Sequence, residues 1–494
     1  MKKIYVGGGF IDVQLLWLIP FLDGYCKKKN IKTIIFERKF KNSILNNSII
    51  NKILNKYNIL YLKNDLIIKN IIFFFFYLLY SFLKILFYAF LTTRVNLLNK
   101  KYNWTKIQIL HSIWDSSVLS LKNYQLEPNF LVRIKYSFLI HVNLYLAKYL
   151  AKQNLDTVFF GHTVYSARAM IAFFRERNIK IICHANSSLY VLPKSQDISW
   201  SMPDIKVLKR ISMPLLFNKS LQYWKKRVLG NGNYEEANIA AQKKIFFLTK
   251  KNTYKNIIML HIFRDSPFHI IDRSRIFVDY VDWIKCTLKI LQLSKENWLI
   301  RPHPNCLRWG ENSKKLYFGI IDKYFSGISN KNVKFDNLKS SNIELLKNAK
   351  RIITYSGTAH LEAACLGIKP IIISNTTLNH YDKNIVFKPK TIKEYSDLLL
   401  KNSKSFKLNK KQIMFAKFIL FFNENISHIR KVVNSRSLYR NDKVTIFKKE
   451  FLNTTIAVKN KNLFLHKLGN MMAFGFRNIV TEKYLTPNFI KNFK

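Results

Sequence analysis

Residues 351–373 read R-I-I-T-Y-S-G-T-A-H-L-E-A-A-C-L-G-I-K-P-I-I-I, and this run constrains the fold more than any other. An apolar strand, Arg351–Thr354, ends in a Ser356-Gly357-Thr358 turn; a helix follows over Ala359–Leu366, and a second strand covers Pro370–Ser374. Gly367 supplies a left-handed cap that stops the helix, and Pro370 cannot continue it. Two apolar strands joined by one helix lie parallel, which is the unit of a doubly wound α/β sheet. The first N–H groups of the helix and its dipole attract an anion, Gly357 admits a close approach to the backbone, and Ser356 and Thr358 add hydroxyl donors. A phosphate site is the favoured reading of this spacing, with a plain capped helix as the structural alternative.

The same rhythm recurs elsewhere. Lys3–Val6 reads as a strand, followed by a glycine turn (Gly7–Gly9) and a helix; the glycines, Asp12 and Gln14 break the apolar stretch that a signal peptide would need. Gly7-x-Gly9 lacks the third glycine of a dinucleotide fingerprint, so no nicotinamide or flavin is expected, and no other cofactor either. Leu155–Phe160 is a strand running into Gly161-His162-Thr163, Ser166–Arg177 a helix, and Lys180–His184 a further strand. From Asn256 the pattern restarts: strands at Ile257–His261 and Trp298–Arg301, helices at Phe277–Leu293 and Ile343–Asn348.

Two further motifs carry chemistry. In W-L-I-R-P-H-P-N, residues 298–305, a strand delivers Arg301 and His303 to its carboxyl tip, and two prolines stiffen the backbone around them. A guanidinium beside an imidazole suits a phosphate or carboxylate. In L-H-I-F-R-D-S-P-F-H, residues 260–269, Arg264, Asp265, Ser266 and His269 gather in the loop after a strand; an ordinary polar interdomain loop is the alternative.

In that order, the strand–HIFRDSPFH loop, the RPHP tip and the SGTAHLEAACLGIKPI turn-helix resemble the nucleotide-binding domain of GT-B glycosyltransferases. More narrowly, they are similar to bacterial capsule-polysaccharide and surface-carbohydrate biosynthesis proteins. The resemblance is strongest over 256–375 and weaker over 156–190, where FFGHTVY stands in for a strand that ends in His before a helix. It implies two Rossmann-like domains facing a cleft: an N-terminal acceptor domain at 1–245, a C-terminal nucleotide-sugar domain at 246–400 and a basic helical extension at 401–494. Donor-binding residues implied are Arg264, Asp265, Arg301, His303, Ser356, Gly357, Thr358 and Glu362, the last on the nucleotide ribose. His162 and Asp12 are the candidates for the base that deprotonates the acceptor hydroxyl. Such enzymes need no metal at the diphosphate, and the sequence has no Asp-x-Asp. The implied partners are a nucleotide-sugar donor and a lipid-linked or oligosaccharide acceptor. A transferase using CDP-glycerol to build a teichoic-acid-like polymer is the alternative with the same fold.

Composition bears on the surroundings. The 494 residues carry 82 Lys+Arg against 29 Asp+Glu, a formal net charge of +53; residues 401–494 alone hold 20 against 4. Drift toward Lys, Asn, Ile, Phe and Tyr accounts for such an excess as readily as a binding device does. A nucleic-acid-binding protein is a competing class, but no RRM, KH, zinc-finger or helix-turn-helix signature is present, and no specific nucleic acid is expected. The five cysteines are scattered without a CxxC, which fits a reducing cytoplasm.

Residues 71–91, I-I-F-F-F-F-Y-L-L-Y-S-F-L-K-I-L-F-Y-A-F-L, within the acceptor domain, are long enough to span a bilayer. Lys84 within the run, basic residues on both flanks and a stripe formed by Asn70, Tyr77, Ser81, Lys84 and Tyr88 argue instead for a helix lying in the membrane interface. A buried core helix and a true span are the other two readings. The expectation is a cytoplasmic protein held peripherally on the anionic inner face of the cell membrane.

Overall fold

The computed structural model describes residues 2–8, 12–39, 48–62, 71–93, 96–98, 102–121, 127–185, 188–192, 213–232, 254–264, 276–277, 279–304, 306, 311–312, 315–316, 319, 332–336, 338, 341–355, 357–373, 385–400, 406–422 and 424. Asp265, Ser266, His269, Ser356 and the basic tail after 424 lie outside them.

Six short, apolar segments build the first sheet: β1 (Lys3–Val6), β2 (Thr33–Phe36), β3 (Asn58–Tyr61), β4 (Leu155–Phe160), β5 (Lys180–Ala185) and β6 (Ser188–Val191). Their order is β3-β2-β1-β4-β5-β6. The first five run parallel and β6 turns back antiparallel on β5. Helices α1 (Asp12–Lys29) and α2 (Ser48–Leu54) connect β1 to β2 and β2 to β3. Three longer helices, α3 (Ile71–Leu91), α4 (Trp104–Leu119) and α5 (Phe130–Ala151), intervene before β4, and α6 (Ser166–Glu176) links β4 to β5.

After α7 (Met213–Val228), the second sheet takes β7 (Asn256–Met259), β8 (Trp298–Arg301), β9 (Val333–Phe335), β10 (Arg351–Thr354) and β11 (Ile371–Ile372) in the order β11-β10-β7-β8-β9, all parallel. Strands buried on both faces need continuous apolar runs, and β7, β8 and β10 are buried at every position. The crossover helices are α8 (Tyr280–Leu291), α9 (Asn342–Lys347) and α10 (Ala359–Cys365), followed by α11 (Ile392–Leu400) and α12 (Lys410–Phe421). Both sheets are wound alike: the first strand is central, the next two lie on one side and the later ones on the other. This is the expected α/β fold with two Rossmann-like units.

Two helices tie the sheets together. Every residue of α4 from Ile107 to Val118 is buried. Its Ile109 and Ile113 join the core of the first sheet, while Leu110, Trp114 and Val118 pack with Ile258, Phe263 and Tyr280 of the second unit. α12 begins in a capping box between Asn409 and Gln412 and packs on α7 and α10. Its Phe418 and Ile419 belong to one apolar cluster that also contains Ile4, Leu18, Trp224, Leu361 and Ile372. The opening helix of the 401–494 segment is therefore part of the core, because Ala416 and Phe418–Phe421 are apolar and buried although the segment as a whole is basic.

The structure overturns one of the three readings of 71–91. α3 is not a buried core helix: only Ser81, Ile85 and Ala89 are buried, against α5.

Candidate functional site

In an open parallel sheet, ligands bind beyond the carboxyl ends of the strands, where the strand order reverses. In the second sheet that point lies between β7 and β10. The chain leaves β7 at His261 and β10 at Gly357, and these two residues meet there. Gly357 has φ +110°, and a Cβ placed on it would lie 2.8 Å from His261 Nε2. A side chain is excluded both by the backbone conformation and by the imidazole.

His261 is held from behind. Its backbone N–H donates to the Tyr280 hydroxyl at 2.7 Å, and that hydroxyl donates to the His261 carbonyl at 3.2 Å. On its other side the ring stacks on His303, with centroids 5.8 Å apart and planes inclined by 19°. His303 is half-buried between Pro302 and Pro304 at the tip of β8. Three adjacent strand tips thus deliver two parallel imidazoles and one glycine turn to the same place. Thr358 is exposed at the start of α10, and its side chain makes no cap bond to the helix.

The turn is stiffened from below by His360. Its ring is 3 % exposed, Nδ1 bonds to the Gly357 carbonyl, and Nε2 has no hydrogen-bond partner among the described residues. Burial lowers its pKa to about 4, so the ring is neutral near pH 7 and Nδ1–H is the donor.

Arg301, expected at the exposed strand tip, is instead 1 % exposed. Its guanidinium turns sideways under β9, pairing with Asp336 and donating from Nε to Asn342 Oδ1 at 2.6 Å. Burial pulls its pKa down and Asp336 opposes that. A charged group at this depth is kept only with a partner, and Asp336 is that partner. Glu362 differs from expectation in the same way. It is buried, with Oε1 accepting from Arg227 Nη2 at 2.7 Å. Arg227 Nε lies 3.4 Å from Glu424 Oε2, and the Tyr223 hydroxyl also bonds to Glu424. Burial raises the Glu424 carboxyl, with Arg227 and Tyr223 opposing. The ribose contact expected of Glu362 would require this pair to open.

Arg264 serves the junction between the sheets. Its Nη2 donates to the Leu119 carbonyl at 2.8 Å, at the C-terminal end of α4, and its backbone N–H donates to Glu311 Oε2 at 3.1 Å. A cation there also meets the negative end of the helix dipole.

In the first sheet the order reverses between β1 and β4. The Gly7 N–H donates to the Phe159 carbonyl at 2.8 Å and the Gly161 N–H to the Gly8 carbonyl at 3.1 Å, so the two tips are laced together. A Cβ on Gly7 would meet Phe160 at 2.8 Å, which explains this glycine by packing. His162 follows at once, exposed on the loop, its ring centroid 6.0 Å from that of Tyr165. Asp12 opens α1 just beyond β1.

The structure brings together His303, Gly357 and Thr358 and leaves Arg301, Arg264 and Glu362 in supporting contacts. His261, Tyr280 and His360 were not singled out from the sequence. The available signal was position: His261 is the second residue past a buried strand at the ligand edge of a parallel sheet. Among the described residues, no three His, Cys, Asp or Glu side chains are grouped as metal ligands.

Winding order and switch-point placement define the class as an α/β protein of two Rossmann-like units. No protein-family model and no curated protein sequence matches the chain. Among solved structures it is similar to the Thermosulfurimonas dismutans KpsC beta Kdo 2,4 transferase, with 13% identity over 54% of this chain and 79% of that one, at a TM-score of 0.33. It is also similar to the Methanocaldococcus jannaschii UDP-GlcNAc 2-epimerase in complex with UDP-GlcNAc and UDP, with 15% identity over 85% of this chain and 100% of that one, TM-score 0.28. A third is Anabaena HepE in complex with UDP and glucose, with 10% identity over 88% of this chain and 100% of that one, TM-score 0.26.

Proposed function

We propose that the protein is a glycosyltransferase that moves a sugar from a nucleotide-activated donor to a growing surface polysaccharide of the capsule or O-antigen kind. The observation that carries the reading is the meeting of His261, His303 and Gly357 at the switch point of the second sheet. Gly357 lets the His261 imidazole close against the turn, and Thr358 offers an exposed hydroxyl beside it as a donor to the phosphate. His303, braced by His261, donates a hydrogen bond to the leaving phosphate as the glycosidic bond to it breaks, a contact that strengthens as charge develops. The acceptor hydroxyl attacks the anomeric carbon and gives its proton to a base at the corresponding edge of the first sheet, His162 or Asp12. Arg301 and the Glu362–Arg227–Glu424 network hold the frame.

No metal is needed in this scheme, since the His303 N–H and the Thr358 hydroxyl donate to the phosphate; activity should persist in EDTA. The test is a panel of nucleotide-sugars and CDP-glycerol offered to the purified chain with oligosaccharide and lipid-linked acceptors. Consumption of one nucleotide-sugar with release of its nucleotide supports the reading. Consumption of CDP-glycerol alone reassigns the site to polyol-phosphate transfer.

A further inference from the structure

α3 presents an apolar face that the other described residues do not cover. Counting 3.6 residues per turn, its exposed side chains occupy about 220° of the helix circumference. Phe73, Phe76, Leu79, Tyr80, Leu83 and Phe90 are all more than half exposed. The neighbouring α5 continues the face with Leu131 and Phe138.

The opposite face of α3 is fastened to the protein. Ser81 is buried, the Ser137 hydroxyl donates to the Ile85 carbonyl at 2.8 Å, and Arg133 Nη1 donates to the Thr92 carbonyl at 2.8 Å. Tyr77 lies 4.8 Å from Tyr145 and Tyr88 lies 5.4 Å from His141, measured between ring centroids. α5 in turn packs on α4 and α6, within the first Rossmann-like unit. Tyr77, Ser81 and Tyr88 of the polar stripe therefore face protein, while Lys84 stands exposed at its edge.

The rim is basic. Lys84 sits over Tyr80 at 4.8 Å, Lys106 over Phe87 at 5.3 Å, Lys135 over Tyr136 at 5.6 Å and Lys148 over Tyr77 at 5.0 Å. None of these four lysines forms a salt bridge among the described residues. Lysines bordering aromatic rings place their stems on apolar surface and their heads at a polar boundary.

We infer that this face docks flat on an anionic lipid bilayer, with α3 in the plane of the interface and the lysines among the headgroups. A span would require α3 to leave α5 and expose Ser81, Ser137 and His141. Pairing with a second copy would set the same lysines against each other, on a chain whose net charge is already +53. An anionic bilayer complements both the apolar face and its rim. This inference is independent of the reaction assigned to the strand tips.

The full chain should be floated with vesicles of equimolar phosphatidylcholine and phosphatidylglycerol and with vesicles of phosphatidylcholine alone. Binding should favour the anionic vesicles, weaken in high salt and be stripped by alkaline carbonate. The Phe76→Ser/Leu83→Ser double variant changes only exposed positions and should unfold at the wild-type midpoint while partitioning about tenfold less. Lys84→Glu/Lys106→Glu should lose the preference for anionic lipid. Flotation of the apolar variant equal to wild type would overturn the proposal, as would carbonate-resistant retention like that of an integral marker. A concentration-dependent dimer abolished by the same apolar substitutions, with no flotation, would assign the face to a second copy and equally overturn it.

Discussion

His261 and Gly357 occupy mutually exclusive space: the imidazole Nε2 lies 2.8 Å from where any side chain on residue 357 would place its Cβ. His261 follows β7 and Gly357 follows β10, so the contact couples the two strands that flank the switch point. Gly357→Val should displace the ring and with it the brace behind His303. Binding of the nucleoside diphosphate released from the working donor, measured by calorimetry, should weaken by about tenfold or more. The positive φ adds a strain of about 1–3 kcal/mol, readable as a lower unfolding midpoint.

Arg301 and His303 are neighbours in sequence with opposite expected phenotypes. Arg301→Ala strands Asp336 in the interior and should cost about 3–5 kcal/mol of stability in chemical denaturation. His303→Ala removes a half-buried ring and should leave the denaturation midpoint near wild type.

The Glu362–Arg227–Glu424 network joins α10 to α7 and the end of α12. Arg227→Ala leaves two buried carboxylates facing each other and should destabilise by about 3–5 kcal/mol. Glu362→Gln keeps a hydrogen bond to Arg227 and should cost less. If Glu362 instead contacts the nucleotide, Glu362→Gln will change donor KM with stability unaltered.

His360 gives the fold an acid-sensitive component. Its folded pKa of about 4 lies below the ordinary 6.5, so the unfolded chain binds a proton that the folded chain refuses. Stability from this group is complete above pH 6.5 and falls as the pH drops toward 4. About 2 kcal/mol should be lost by about pH 5. His360→Asn retains a donor for the Gly357 carbonyl without the titration, and its denaturation midpoint should fall less over that window.

Much of this was legible in the sequence because both sheets are buried on both faces and their strands are short apolar runs. β1, β4, β8 and β10 fall where the pattern places them. β3 was not legible: Asn58–Tyr61 is a partly exposed edge strand with weak patterning. α4 escaped because a helix wedged between two sheets is buried all round, and its Gln108, Ser112, Asp115 and Ser116 break the apolar stripe that marks a one-sided helix. At the site, residue type pointed correctly to the strand tips but did not reveal which side chains turn inward. Arg301 and His303 look equivalent until Asp336 and Asn342, contributed by later segments, draw the guanidinium under the sheet.

The central claim is that the stacked His261–His303 pair beside Gly357 stabilises a leaving phosphate. The most direct measurement is single-donor turnover of His303→Ala and His261→Ala, using whichever nucleotide-sugar the wild-type chain consumes, with folded fraction checked by denaturation. The account predicts kcat for His303→Ala about 10²–10³ below wild type, a fall in kcat for His261→Ala as well, and no loss of folded protein in the former. Wild-type turnover in both variants would contradict it.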